Sequence, residues 1–169
     1  MPHEFATDWE QRVAALWTQL DAHDPAQFRA KIEALAGELP AGDARGLFER
    51  ACAYDSTGRT DVAAPLYREA LAAGLTGIRR RRAVIQMASS LRNLGRAEES
   101  VKLLRAERDA ASDELDDAVI AVLALSLADT GRAREATGLA IGALARHLPR
   151  YNRSMANYAR ALLEEKTPT

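Results

Sequence analysis

The chain has 169 residues, 23 of them Lys or Arg and 24 Asp or Glu, for a net charge of -1, and one cysteine. That balance argues against bulk nucleic-acid binding, which needs a cationic excess, and a single cysteine excludes an internal disulfide framework. The longest apolar run, residues 118–128, is interrupted by Ser126 and is half of what a bilayer-spanning helix needs, about 20 residues.

Alanine supplies 35 residues and aromatics only 5%. Ala is the best helix former, and the β-branched and aromatic enrichment that strands favour is missing. The composition predicts an all-helical chain. The start, MPHEFATDWEQR, has no apolar stretch behind a basic opening, so no secretory leader is expected and a cytoplasmic protein is.

In chain order, residues 5–22 predict the first helix, with Trp9, Val13, Leu16, Trp17 and Leu20 at helical spacing. Asp24-Pro25 then reads as an N-cap followed by a proline at the first helical position. Phe28, Ile32, Leu35 and Leu39 continue the pattern in a second helix. The segment LPAGDARG, residues 39–46, is the clearest break in the chain.

Beyond it the sequence repeats a phrase. TGRTDVA, LGRAEES and TGRAREA place Gly58, Gly95 and Gly131 37 and 36 residues apart, each between two amphipathic stretches. Glycine tolerates positive φ just past a helix end, so each predicts the turn inside a helical hairpin. A period in this range points to a stack of such hairpins. Pro65 falls early in the second helix of its hairpin, where a mild kink at most is expected. After Pro149, residues 150–165 predict one last helix that caps the stack.

The phrase and its surroundings resemble the tetratricopeptide repeat. That family places a small residue seven before the turn glycine, a large one four before it, alanines five and twelve after it, and an aromatic nine after it. Around Gly58 these are Ala51, Tyr54, Ala63, Ala70 and Tyr67, all in keeping. Around Gly95, Ala88 and Leu91 match, whereas Ser100, Leu104 and Glu107 drift. Around Gly131, Ala124, Leu127, Ala136 and Ala143 match, and Ala140 stands where a ring is usual. In the last helix Ala159 and Leu162 keep the register. The resemblance covers about residues 44–165.

It implies a right-handed, all-α solenoid of antiparallel helical hairpins, about nine helices wound as a superhelix. One domain spans 1–169: an N-terminal hairpin (1–43), three repeats (44–77, 81–114, 117–149) and a capping helix (150–165). It also implies a concave groove lined by the first helix of each hairpin. Carried over position by position, the hairpin at Gly58 presents Arg45, Phe48, Glu49, Cys52, Asp55 and Ser56 there. A polar and cationic patch follows: Arg82, Gln86, Ser89, Arg92 and Asn93, joined by Arg153, Asn157 and Arg160. Arginine forks and amides suit a peptide backbone or a carboxylate. Ile85 shares this helix face. An apolar surface follows at Ala118, Ala121, Val122 and Leu125, on a helix hydrophobic nearly all round. The last helix folding over it, a second copy of the chain, or an apolar peptide would each cover it.

Arg79–Arg82 opposes the dipole at a helix start, so an offset is expected. Asp113, Glu114, Asp116 and Asp117, at the same phase of the next repeat, would supply it; an external anion is the alternative. Cys52 has no histidine near it in sequence and reads as a packed thiol. His3, His23 and His147 have no partners at ligand spacing, so neither metal nor cofactor is expected. No residues converge for catalysis.

The expected function is a non-enzymatic protein–protein interaction scaffold holding a peptide or helix of a partner in the groove. The alternative is an obligate homodimer whose groove is filled by self-association. Small bacterial proteins of this resemblance fit the Ala- and Arg-rich usage.

Overall fold

The computed structural model describes residues 8–164. His3 and the expected helix start at Phe5 lie outside them, as does residue 165, the expected end of the last helix. Among the described residues the chain forms nine α-helices, one short 3-10 turn and no strand. It divides into two compact units, up to Ala83 and from Val84, with the division falling inside the fifth helix.

The first unit holds α1 (Asp8–Trp17), α2 (Pro25–Ala36), α3 (Ala44–Ser56), α4 (Thr60–Ala72) and the first turns of α5 (Gly77–Asn93). α1 is shorter than the sequence suggests. Thr18 Oγ1 donates to the carbonyl of Ala15 at 2.7 Å, and Gln19 N–H donates to Leu16 O at 3.0 Å. The chain tightens into a 3-10 turn over Leu20–Ala22 and is redirected before Pro25. Asp24 then caps α2 as expected, accepting from Ala26 N–H at 2.8 Å and Gln27 N–H at 3.3 Å.

α1 and α2 meet through Trp9, whose indole N–H donates to Leu35 O at 2.8 Å. Trp17 stands edge-on to Phe28, ring centroids 5.0 Å apart, and Phe28 and Ile32 are buried. α2 approaches α3 closely because Gly46 carries no side chain: a Cβ there would lie 3.4 Å from Ala36 O. α3 and α4 pack through Phe48 and Tyr67, both fully buried. α4 runs through Pro65 without a break.

The second unit holds the rest of α5, then α6 (Ala97–Ala110), α7 (Asp116–Asp129), α8 (Ala133–Ala145) and α9 (Asn152–Leu163). Its core gathers Ile85, Ala88, Val101, Leu104, Val119, Leu123, Leu127 and Ala136. Each fully buried leucine contributes about 1.5–3 kcal/mol. Across this apolar seam Ser100 and Ser126 hydroxyls pair at 2.8 Å, and Ser126 donates on to Val122 O at 2.9 Å, so neither is buried unsatisfied. α9 docks on α8 at two glycines one turn apart, Gly138 and Gly142.

The three repeated turns have one geometry. Gly58, Gly95 and Gly131 have φ of 78°, 77° and 81°. The following arginine N–H reaches back six residues inclusive: Arg59 to Tyr54 O at 2.8 Å, Arg96 to Leu91 O at 2.8 Å, Arg132 to Leu127 O at 2.9 Å. Each glycine N–H bonds the carbonyl three residues before it, at 3.0–3.1 Å. This is a Schellman motif, which satisfies the helix's last carbonyls and needs a left-handed residue at the glycine. The sequence phrase is therefore the chemistry of this cap.

Candidate functional site

The helix faces expected to line a groove separate into faces already covered and faces left open. α3 belongs to the first kind. Phe48, Glu49 and Cys52, expected to face a ligand, are buried. The reason is local. Trp17 Nε1–H donates to Glu49 Oε2 at 2.7 Å, Arg79 approaches the same carboxylate at 3.6 Å, and the Arg82 guanidinium lies over the Phe48 ring, 5.2 Å from its centroid. Burial pushes the Glu49 carboxyl up from its ordinary value, against the indole N–H and Arg79, which pull it down. Burial likewise pushes the Cys52 thiol up to about 12, with the Glu49 charge acting in the same direction. A protonated thiol among side chains is not a nucleophile at neutral pH.

Two members of the expected inter-repeat charge network have other partners. Arg79 pairs with Glu10 at 2.8 Å as well as with Glu49. Asp117 pairs with Arg146 and with His147 Nε2, the latter at 2.8 Å. An arginine at the α5 start thus finds its offset within its own unit, from the N-terminal hairpin and α3, which repeat periodicity alone does not bring near.

Of the polar residues expected at the site, Arg82 lies in the first unit and is engaged with Phe48 as above. In the second unit Gln86 and Ser89 are half-buried on α5, and Asn93 is exposed. Arg92 spans to α7: its Nε stands 2.6 Å from Asp129 Oδ2, at an angle unlike a hydrogen bond, while its Nη2–H donates to Oδ1 at 3.4 Å. That pair ties the C-terminal ends of two first helices. Arg153, Asn157 and Arg160 are exposed on α9, with Arg160 Nη2–H donating to Asn157 Oδ1 at 2.8 Å. Ile85 is turned into the core with Val119 and Leu123.

The apolar residues expected on α7 behave differently. Ala118 and Val122 are half-buried, Ala121 is exposed, and Leu125 is 51% exposed. α9 does not fold across Leu125; it lies along α8, with Ala159 and Leu163 against Gly138. The ends of α7 are fixed by the Asp129–Arg92 and Asp117–Arg146 pairs. An apolar face is thus left open on a helix that carries an ion pair at each end.

Sequence reasoning missed Tyr151 and Tyr158 on α9, the two most exposed of the large apolar side chains, 73% and 62%. For Tyr158 the repeat position carried the signal, since its equivalents Met87 and Leu123 are buried; nothing in the repeat marked Tyr151, the residue before α9. No helix among the described residues is long and apolar enough to cross a membrane.

A family model described as Tetratrico peptide repeat matches residues 44–162, from the start of α3 almost to the end of α9. No curated protein and no solved structure matches the chain. With three capped turns of one geometry inside a match over most of its length, the chain belongs to the tetratricopeptide repeat family.

Proposed function

We propose that the chain is a protein-interaction module that holds a segment of a partner protein on the open face of α7. The observation that carries this is Leu125, 51% exposed beside exposed Ala121 on a helix whose other faces are buried in the core. A leucine held at such a site is an anchor in search of a cover. In repeat register Gln86 and Ser89 of α5 stand beside Val122 and Leu125 of α7, so a polar row runs next to the apolar one. Amide and hydroxyl groups there suit the backbone of a segment whose side chains pack on Val122 and Leu125.

The test is peptide display selected against the full chain, followed by affinity measurement on Leu125→Asp. The exposed site lets that variant fold with a near-unchanged Tm. The proposal expects selected peptides to carry apolar anchors and to lose at least about tenfold affinity on the variant, as for a central interface residue. Peptides insensitive to Leu125→Asp would refute it. Light scattering over a wide dilution range separates the alternative occupant: a dimer that resists dilution and dissociates in Leu125→Asp would place a second copy on this face.

A further inference from the structure

The α3 face that the repeat register opens to a groove already holds a helix, the chain's own α1. Arg45 of α3 stands over the Trp9 ring, its guanidinium 5.6 Å from the centroid. Glu49 of α3 accepts from the Trp17 indole N–H at 2.7 Å. Arg79, in the first turn of α5, pairs with Glu10 at 2.8 Å. Trp9, Glu10, Val13 and Trp17 fall at i, i+1, i+4 and i+8, on one side of α1. Two indoles and a carboxylate set against arginines and a glutamate have the make-up of an interface between proteins, where Trp and Arg are enriched, more than of an aliphatic core. All of these groups belong to the first unit.

α1 is also lightly fastened. Its ten residues are fewer than an isolated helix needs to persist in water, about 12–15. Of those ten, Trp9 and Val13 are the buried ones. Shutting α1 takes the Glu49 carboxylate out of water for one indole N–H and an arginine at 3.6 Å, a desolvation that opening relieves. The chain after α1 passes through the 3-10 turn Leu20–Ala22, which has no buried residue, while Asp24 caps α2 on its own. That turn is a place about which α1 can swing without disturbing α2. We infer that the α3 face is a second interaction surface, shut in cis by α1, and that it takes in place of α1 a partner's helix carrying indoles and an acid at the same spacing. A helix offered in trans competes with the cis one, so its apparent affinity is lowered by the fraction of molecules in which the face is open. This surface is separate from the α7 face and does not rest on it.

The chain's two tryptophans, Trp9 and Trp17, both lie on α1, so indole fluorescence reads its docking. In a urea titration of the full chain the fluorescence transition is expected to precede the loss of helical circular dichroism, as local opening precedes global unfolding. Coincident transitions would overturn the inference. The binding probe is a labelled peptide of residues 8–20, DWEQRVAALWTQL, held helical by a lactam on its outer side and followed by fluorescence anisotropy. It is expected to bind the full-length Glu10→Lys variant, whose lid is weakened at an exposed edge, at least about tenfold more tightly than the wild type. Arg79→Glu is expected to weaken the same peptide by a similar factor and to prefer a peptide carrying Glu10→Lys, which places the probe beneath α1. Leu125→Asp is expected to leave binding unchanged. Equal binding to wild type and Glu10→Lys, no binding to either, or no reversal of preference in Arg79→Glu overturns the inference. Loss of binding in Leu125→Asp would move the peptide to α7 and refute it as well.

Discussion

Alanine at Gly138 and alanine at Gly142 ought to move stability in opposite directions, although the two glycines sit one turn apart on the same face of α8. Replacing a glycine inside a helix by alanine gains about 0.5–1 kcal/mol of backbone entropy. At Gly142 the new Cβ would lie 3.7 Å from the Ala159 Cβ, an ordinary contact, so that gain survives. At Gly138 the new Cβ would lie 2.8 Å and 2.9 Å from Leu163 Cδ2 and Cγ, and 3.1 Å from Ala159 O. The leucine is partly exposed and can rotate, but the carbonyl belongs to the α9 backbone and yields only if the helix moves. Overpacking of this kind costs about 1–3 kcal/mol, so Gly138→Ala should be net destabilising by about 0–2 kcal/mol. For a chain of this size each kcal/mol is about 2–4 °C in Tm. Thermal melts of both variants measure the sign, and hydrogen exchange localises it: α9 amides should lose protection in Gly138→Ala alone. Two equally stabilising alanines, with α9 protection intact, would refute the close approach of α9 to α8.

Three other outcomes follow from single features. Gly95→Ala should destabilise by about 1–2 kcal/mol although nothing lies within 4 Å of its Cβ, because the cost is the left-handed backbone itself; Gly95→Asn, read in the same urea titration, should cost less. Cys52 should resist a thiol reagent in the native protein and react only on unfolding, since it is buried and its pKa is near 12. Glu49 has a folded pKa raised above its unfolded value, so the native state binds that proton more tightly. Its contribution to stability is then fully present below the unfolded carboxyl value and is lost as pH rises through the raised one. Urea midpoints of the wild type measured relative to Glu49→Gln should therefore fall from acid toward neutral pH; a relative rise would mean that Arg79 and Trp17 outweigh burial.

The turns were legible because their cause is local. A left-handed residue at the helix end needs glycine, and the six-residue hydrogen bond behind it fixes the phase of everything around it. The same phase picked out Ala88, Leu91, Ala124 and Leu127, all of which are buried. Where a face depends on what lies against it, periodicity was silent. Phe48, Glu49 and Cys52 hold positions that the family opens to a groove, yet Trp17 from the N-terminal hairpin and two arginines of α5 close that face. No spacing announces a contact between an indole and a carboxylate 32 residues apart. Leu125 and Ala121 are left exposed, and not covered by the last helix, because α9 lies along the small residues of α8, and Gly138 and Gly142 had no part in the repeat signature. Tyr158 was hidden for the converse reason: its residue type suits a core position, and only the missing cover makes it a surface.

The most direct test of the account is methyl NMR of the full chain, labelled at leucine and valine and titrated with a display-selected peptide. Docking on α7 predicts shifts concentrated at Leu125 and Val122, with the buried Leu104 and Leu123 methyls little moved. Shifts confined to residues remote from α7, with Leu125 and Val122 unchanged at saturation, would contradict it.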